Sequence, residues 1–366
     1  MLFRSGCLAG RPMADAEVLE LDRLAGFPHP RETNGLFGQD EAERVLLEAY
    51  RSGRMPHAWL IGGPEGVGKA TLAYRAAKFI LSHPDPFSDD VQNAKSLATN
   101  LNTPVIHRIT AQAHPDLMIV RREIDPKKKT IPTLISVDLV REALRFFGST
   151  SGEGGWRIAI VDVADDLNRN GANALLKMIE EPPERSIIFL LANHPARQLP
   201  TIRSRCRKLM LNPLAVEIVE AVLRGNAASG SPDLLRKAAE LSEGSIRNAM
   251  QFLDAKLLSL GEKVTGILNR LPDLNRQAVA QLADTLTGRD QEQSFDLVVT
   301  FVTDWIVAEC GQRAGEGASI LAPLAEVWEK GTRSARDVDR FNLDRRPFVI
   351  SLFADLAEAV RLSRAA

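Results

Sequence analysis

Two short apolar runs, separated by a stretch long enough for one helix, constrain the fold of this 366-residue chain more than any other feature. They occupy residues 158–162 and 186–193 and are rich in β-branched residues. Runs of this kind are typical of strands that are covered on both faces, as in a parallel sheet. The first run ends in Asp162, at the strand end where ligands of open α/β sheets bind. The sequence therefore predicts an α/β fold with a site near Asp162.

The stretch between the two runs predicts a helix that stops at a pair of prolines. Four apolar residues recur at a helical spacing and share one face: Ala172, Leu175, Leu176 and Ile179. Pro182 and Pro183 end the helix, because proline has no backbone N–H and disfavours helical geometry in the residue before it. We expect this proline pair to serve the fold rather than any catalytic step.

A glycine-rich loop between a strand and a helix predicts a phosphate-binding site. Residues 58–61 form a short apolar run, which leads into the pattern GxxxxGK. Gly63, Gly66 and Gly68 let the backbone turn tightly, so that successive N–H groups point at phosphate oxygens. The helix that follows adds the partial positive charge of its N-terminus. Lys69 is expected to reach the β and γ phosphates of a nucleotide.

Two positions of this nucleotide-binding pattern carry side chains that cannot perform the usual chemistry. Ala70 stands where a serine or threonine hydroxyl would hold Mg²⁺, and Thr71 lies one place later, about 100° around the helix. Asp162 is suited to orienting Mg²⁺, but the next residue is Val163 where an active ATPase of this layout has a glutamate base. The sequence predicts that phosphate binding survives, as weak ATP or ADP binding, and that metal-dependent hydrolysis is lost.

The charge and cysteine content exclude several classes of protein. Lys plus Arg is 46 and Asp plus Glu is 47, so the chain lacks the basic field of an autonomous nucleic-acid binder. The basic run at residues 127–129 is either solvated or in contact with phosphates. Three separated cysteines without a CxxC pair indicate neither a disulfide framework nor a zinc knuckle, and they fit a reducing, cytoplasmic setting.

The chain contains no run long and apolar enough for a membrane span, and we expect no membrane partner. The first twelve residues lack the sustained apolar region of a secretory signal. Two alternatives stay open for them. One is a transit peptide, from their basic, acid-free composition, and the other is a disordered extension ahead of a true start at Met13.

Four sequence blocks resemble the clamp-loader subunits of bacterial DNA polymerase III, which are AAA+ proteins. They are His-Pro-Asp at 114–116, Asn-Ala-Leu-Leu-Lys at 173–177, Glu-Glu-Pro-Pro at 180–183 and Ser-Arg-Cys at 204–206. The altered phosphate loop and the missing glutamate are similar to the delta prime branch of that family rather than to the ATP-hydrolysing gamma/tau branch. The specific likeness runs from about residue 62 to 206, and a weaker one continues to residues 244–247.

This resemblance implies three domains behind a poorly ordered N-terminal extension at residues 1–35. A RecA-like AAA+ domain with a parallel sheet is expected at 36–212, a small helical lid at 213–264 and an all-helical collar at 265–366. In the family, the collar holds five subunits in a ring. Many relatives carry four cysteines as a zinc module before the His-Pro-Asp block, but residues 82–113 contain none, so no zinc is predicted.

The resemblance also implies roles for individual residues. Arg205, in the Ser-Arg-Cys block, is expected to act in trans as an arginine finger on ATP bound by the neighbouring subunit, because its forked cation suits a transferring phosphoryl group. Arg247 falls at the family's sensor 2 position. The complete predicted nucleotide-binding set is Gly63, Gly66, Gly68, Lys69, Thr71, Asp162, Asn193 and Arg247.

Three functions remain in competition on the sequence alone. The leading hypothesis is a largely non-hydrolysing delta prime subunit that joins gamma/tau and delta in a hetero-pentameric ring. It would meet the sliding clamp and primed DNA through that complex, as part of the DNA polymerase III holoenzyme. The rival is an active AAA+ clamp-loader ATPase of the gamma/tau type, against which Ala70 and Val163 argue. The third is a nucleotide-sensing adaptor outside replication.

Overall fold

Five parallel strands form one sheet at the centre of the first domain. Their order across the sheet is β2-β3-β4-β1-β5. The strands are β1 (Ala58–Gly62), β2 (Leu117–Arg121), β3 (Arg157–Asp162), β4 (Ser186–Ala192) and β5 (Arg207–Met210). This architecture comes from a computed structural model, which describes residues 27–123, 132, 134–148, 152, 155–226, 230–288, 291–341 and 343–365. The predictions made for residues 1–26 and 127–129 lie outside these ranges.

The pairing of the strands confirms the predicted parallel α/β fold. β3 and β1 each pair along their whole lengths with β4, in parallel register. Both β1 and β4 are buried at every position, as expected for strands covered on two faces. β2 and β5 are the edge strands, and β5 leaves Arg207, Lys208 and Met210 exposed.

Seven helices of the described chain accompany the sheet. They are α1 (Asp40–Arg51), α2 (Lys69–Ser82), α3 (Asp89–Asn93), α4 (Pro104–Thr110), α5 (Val137–Gly148), α6 (Arg169–Glu180) and α7 (Pro200–Arg205). The predicted helix before the proline pair is confirmed, since α6 ends at Glu180 and Pro182 follows two residues later. After α3 the chain turns and has no regular structure as far as α4.

Helices cover the sheet on both faces, and the alternation along β1 shows how. Trp59 and Ile61 belong to the core that β1 shares with α1, α2 and α4. Ala58 and Leu60 point the other way, into the core shared with α5, α6 and α7. Successive side chains of a strand face opposite sides of a sheet, so one fully apolar strand supplies both cores.

Eight helices make up the rest of the described chain, and all of them contribute to or pack near a single hydrophobic core. They are α8 (Val216–Asn226), α9 (Pro232–Leu241), α10 (Ile246–Gln251), α11 (Ala255–Leu268), α12 (Arg276–Thr285), α13 (Glu292–Gln312), α14 (Ala318–Phe341) and α15 (Arg345–Ala365). Among the described helices, none is both long enough and apolar enough to pass through a lipid bilayer.

The predicted boundary between lid and collar, at residues 264 and 265, is not where the structure divides. That position lies inside α11, which continues to Leu268. The core that begins at Leu214 in the lid extends without interruption to Val360 in α15. Leu260 and Leu268, on either side of the predicted boundary, are both buried in it. The lid and the collar therefore share one core, because a continuous apolar helix joins them.

Residues 27–35, the lead-in segment to the sheet domain, differ from the prediction of a poorly ordered extension at residues 1–35. His29 and Arg31 are buried. Two cationic side chains of α2 hold the backbone of the same segment, since Lys78 donates to the carbonyl of Thr33 at 2.9 Å and Arg75 donates to that of Asn34. Residues 27–35 are thus part of the packed domain. The two cations can be buried because each has a backbone carbonyl as its hydrogen-bond acceptor.

The turn that leads into α10 requires glycine at residue 244. Gly244 has φ +80°, and a Cβ there would lie 2.5 Å from the Leu214 nitrogen and 2.6 Å from its oxygen. Gly266 is an exposed glycine inside α11, and a Cβ there would meet no atom within 4 Å. The two glycines form a matched pair for substitution.

We predict opposite effects of alanine at these two positions on the free energy of unfolding. Gly244→Ala should destabilise the protein by about 1–3 kcal/mol, because it forces a left-handed backbone on alanine against a neighbouring backbone. Gly266→Ala should stabilise it by about 0.5–1 kcal/mol, because alanine is the better helix former. Urea unfolding followed by circular dichroism measures both. A Gly244→Ala protein as stable as the parent would show that the turn is not constrained as described.

Candidate nucleotide site

The residues predicted from the sequence meet at the carboxyl edge of the sheet. Asp162 ends β3, Gly62 ends β1 immediately before the glycine-rich loop, and Asn193 follows β4 directly. In the strand register, Gly62 is level with Ala192, and Asp162 is level with Leu191. Since the paired strands run in parallel, their ends bring these side chains to one place.

The glycine-rich loop has the backbone geometry that its glycines predicted. Gly66 and Gly68 have φ of +78° and +104°, in the left-handed region that favours glycine. Gly63 stands so close to β5 that a Cβ would lie 2.6 Å from the Leu211 oxygen. Gly68 is the N-cap of α2, which begins at Lys69. A helix N-terminus therefore faces the loop, as anion binding requires.

Lys69 is buried and is bonded to its own loop. Its ammonium donates to the carbonyls of Gly63 at 2.7 Å and Pro64 at 2.6 Å. Burial lowers the pKa of Lys69 to about 8, while the carboxylates of Glu65 and Asp162 act in the opposite direction. A phosphate would have to displace the two carbonyls to receive this ammonium, so phosphate binding at Lys69 has a competitor within the chain.

The helical lid closes onto the loop through the start of α10. The Ile246 N–H donates to the Gly66 carbonyl at 3.1 Å, and the Arg247 guanidinium lies 3.3 Å from the Glu65 carboxylate. A Cβ on Gly66 would lie 2.3 Å from the Ser245 hydroxyl, so only glycine permits this approach. The structure thus places Arg247 beside the phosphate loop, and its role toward a nucleotide stays a prediction.

A cavity of about 310 Å³ lies between the loop, the lid and the strand ends. Ala70 and Val163, the two positions without catalytic side chains, both line it. Among the residues that the structure describes, no three His, Cys, Asp or Glu side chains are grouped as metal ligands, and the absence of zinc stays a prediction. Seven of the eight predicted nucleotide-binding residues line the cavity: Gly66, Gly68, Lys69, Thr71, Asp162, Asn193 and Arg247.

The sequence did not predict a set of charged residues on the β2 side of the cavity. Arg121 ends β2 level with Asp162, and Arg122 follows it. Arg122 is paired with Asp166 at 2.9 Å. Burial raises the pKa of Asp166, and the charge of Arg122 opposes that rise. The signal for these residues was available, because they follow an apolar strand run in the same way as Asp162 does.

The end of β4 is held in place by Asp165. The two oxygens of this carboxylate accept from the backbone N–H groups of Asn193 at 2.7 Å and His194 at 3.0 Å. The side chain of His194 contacts the helical half, where its ring meets the Trp328 ring of α14 edge-on, with centroids 4.8 Å apart. The guanidinium carbon of Arg197 lies 4.0 Å from the centroid of the same tryptophan. Asn193 lines the cavity and its neighbour His194 contacts α14, so the cavity is one residue away from a contact with the helical half.

Arg205 does not belong to this cavity. It is the last residue of α7, is exposed, and pairs with Glu180 at 3.1 Å. It also donates to the Thr201 carbonyl at 3.2 Å. The next strand, β5, pairs with β1 from Trp59 onward, so Arg205 lies at the amino end of β1, whereas the glycine-rich loop follows its carboxyl end. The length of β1 alone separates the two by roughly 10 Å or more.

A carboxylate of the helical half adds negative charge near the loop. Asp304 lies on α13, and burial, followed by the nearby Glu243 and Glu65 carboxylates, raises its pKa to about 7. The ammonium of Lys69 acts in the opposite direction. Near neutral pH, this side chain can therefore gain or lose a proton where the helical half faces the phosphate loop.

Comparison with known proteins gives one family match, and it covers the sheet domain. The family described as DNA polymerase III, delta subunit, matches residues 38–215. Subunit delta' of DNA polymerase III from Pseudomonas aeruginosa is 33% identical over 150 residues, which are 41% of each chain. Subunit delta' from Escherichia coli is 32% identical over 200 residues, or 55% of each chain.

A subunit of a second kind matches over a longer stretch. Subunit tau of DNA polymerase III from Escherichia coli is 29% identical over 315 residues, covering 83% of this chain and 44% of its own. The chain thus spans from 41% to 55% of the length of these three relatives. The structure of a gamma subunit-related protein from Thermotoga maritima covers 86% of this chain at 16% identity, with a TM-score of 0.40.

We predict that replacing Asp304 stabilises the protein in a pH-dependent way. Its pKa is about 7 in the folded protein against an ordinary value of 3.8, so the folded state ionises it less readily than the unfolded state. Ionising Asp304 therefore destabilises the folded state, and this destabilisation is absent below pH 4 and complete above pH 7. Asp304→Asn should therefore raise the melting temperature at pH 8, with a smaller gain at pH 5. The exposed Asp273→Asn is the control, and equal shifts at both pH values would contradict the assignment.

Proposed function

The chain belongs to the clamp-loader family of DNA polymerase III subunits, and on that premise we propose that it is the delta prime subunit, which helps load the sliding clamp without hydrolysing ATP itself. One observation carries the proposal. Both Ala70 and Val163 line the cavity. A site that hydrolyses ATP has a serine or threonine hydroxyl that binds Mg²⁺ at the first position and a general base at the second. Two independent catalytic groups are missing from the same site.

The remaining residues are suited to holding phosphate rather than to cleaving it. The loop amides and the N-terminus of α2 supply partial positive charge, and Lys69 and Arg247 supply full charges. Lys69 must leave the carbonyls of Gly63 and Pro64, and Arg247 must leave Glu65, before either meets a phosphate. These internal partners support weak ATP or ADP binding.

Arg205 supports a role in trans. It lies at the opposite end of the sheet from its own cavity, where only another subunit can bring a nucleotide to it. Its partner Glu180 is about half exposed, and surface pairs of this kind contribute only about 0–1 kcal/mol. The guanidinium can therefore exchange Glu180 for a phosphoryl group on a neighbour, where its fork and permanent charge stabilise the developing negative charge.

The proposed partners follow from this role. Gamma/tau and delta subunits would complete a hetero-pentameric ring with this chain, and the helical collar would hold them together. The ATP served by Arg205 would be bound by a gamma/tau neighbour. The sliding clamp and primed DNA would be met through the assembled complex.

An active ATPase of the gamma/tau type is the second candidate. The observation in its favour is the match to Escherichia coli tau over 83% of this chain, a longer stretch than either delta' match covers. Against it stand Ala70 and Val163, because neither an alanine nor a valine can bind Mg²⁺ or accept a proton. ATP turnover by the isolated chain separates the two candidates.

We predict that the isolated chain shows no ATP turnover above buffer. The missing metal ligand and base each remove orders of magnitude in rate. Phosphate release measured with Mg²⁺ and saturating ATP tests this, with Lys69→Ala as the matched control for a contaminating ATPase. Turnover that Lys69→Ala abolishes would place the chain in the gamma/tau class instead.

We predict that Arg205→Ala lowers ATP hydrolysis and clamp loading by the reconstituted loader while leaving ring assembly intact. A supplied arginine is worth about 10³–10⁵ in rate at the site it serves. The whole ring should lose less, because one of its ATP sites depends on this subunit. Arg205→Lys should restore only part of the activity, since an ammonium cannot make the forked contact.

Arg203→Ala is the matched control for this experiment. Arg203 lies on the same short helix but donates to the Ala196 carbonyl within its own subunit. Its loss should leave hydrolysis near the parental rate. Equal hydrolysis by rings containing Arg205→Ala and the parent would eliminate the finger, and equal losses in both variants would assign the effect to the local basic charge.

A further inference from the structure

We propose that the cavity binds the di- or triphosphate group of a nucleotide without a divalent cation, and that Arg121 and Arg122 supply the positive charge that Mg²⁺ supplies in a hydrolysing site. The inference goes beyond the clamp-loading role and rests on its premise that the site does not hydrolyse ATP. It concerns two residues that the motif of the phosphate loop does not include.

The charge balance of the cavity is the first argument. Four permanently or normally cationic side chains line it, against three acids. Two of the acids already face a guanidinium, since Glu65 lies 3.3 Å from Arg247 and Asp166 lies 2.9 Å from Arg122. Mg²⁺ requires closely placed oxygen ligands, and Ala70 offers none where the first protein ligand should be. The cavity is thus better equipped with cations for an anion than with ligands for a metal.

The position of the two arginines is the second argument. Arg121 is level with Asp162 at the carboxyl edge, so the end of β2 places cationic residues on its side of the cavity. β2 and β1 are separated by three strand spacings, or about 14 Å. The same cavity is lined by Lys69 from the β1 side and by both arginines from the β2 side. A chain of phosphates between them would meet cations at both ends.

The Arg122–Asp166 pair provides a route for ligand exchange. Asp166 keeps the guanidinium oriented in the absence of phosphate, and both side chains retain some exposure, at 38% and 20%. A phosphate that takes Arg122 leaves Asp166 without its cation. Burial already favours the protonated form of that carboxyl, so the separated acid can be neutralised. Guanidinium groups bind phosphate in a bidentate manner, which favours the exchange.

The volume of the cavity sets the size of the ligand. At about 310 Å³ it is at the lower end of the range of ligand pockets. A di- or triphosphate group does not fill this volume, so part of a nucleoside can enter with it. Phe27 and His29 of the lead-in segment add a partly apolar wall, against which a base could lie. The phosphate chemistry is shared by a nucleotide and by free pyrophosphate, so the two must be compared.

Titration calorimetry of the full chain with ADP and with pyrophosphate, each in EDTA and in excess Mg²⁺, tests the inference. We expect binding in EDTA that is equal to or tighter than binding in Mg²⁺. Arg121→Ala and Arg122→Ala should each weaken it by about tenfold or more, the usual effect of a hydrogen bond to a charged group. Arg122→Lys should lose less, because it keeps the charge beside Asp166. Arg276→Ala, an exposed arginine outside the cavity, should change nothing.

The outcomes separate cleanly once circular dichroism has shown that the variants are folded. Tighter binding of ADP than of pyrophosphate identifies a nucleotide as the ligand, and equal binding identifies the phosphate group alone. Binding that requires Mg²⁺, binding that is unchanged in both alanine variants, or no measurable binding of either compound overturns the inference. None of these results bears on Arg205, whose loss is measured in the assembled ring, so the clamp-loading proposal stands or falls separately.

Discussion

The parallel pairing of β1, β4 and β3 is the constraint on which the rest of the molecule depends. Their apolar side chains build the cores on both faces of the sheet. Their backbone register fixes which residues emerge together at the carboxyl edge. A shift by one residue would turn every core side chain to the other face. The glycine-rich loop, Asp162 and Asn193 are therefore positioned by hydrophobic packing some distance from the chemistry that they serve.

The features that could be predicted from the sequence are those that short runs of neighbouring residues determine. The loop from Gly63 to Lys69, the acid at Asp162 and the helix that ends at Glu180 each depend on neighbours within a few residues. Arg121 follows an apolar run as Asp162 does, but the sequence does not say which strands are neighbours, so its position level with Asp162 was missed. The lead-in segment was misjudged because its order depends on Lys78, which lies far along the chain and is buried beneath it.

The two roles proposed for this chain occupy opposite ends of one sheet. The cavity lies at the carboxyl edge, and Arg205 lies near the amino end of β1. If the proposed ring forms, this separation allows the arginine of one subunit to face the cavity of the next while every subunit keeps the same orientation. On the proposed function, a subunit could then lose its own hydrolysis without losing its contribution to a neighbour. Ala70 and Val163 alter the first function, and neither residue touches the second.

The continuous core of the lid and the collar has a mechanical consequence. A lid with its own core could swing on the sheet domain while the collar stayed still. Here α11 passes through both and the core is shared, so a turn of the lid would carry the collar with it. The chain crosses between the two halves in residues 211–215, between β5 and α8, where the Leu214 N–H donates to the Gly244 carbonyl at 3.1 Å. The Trp328 ring contacts His194 and Arg197, and these contacts form a second connection between the helical half and the sheet domain. Any turn of the helical half about this connection would therefore move Arg247 relative to the phosphate loop and would displace α14 and α15 at the same time.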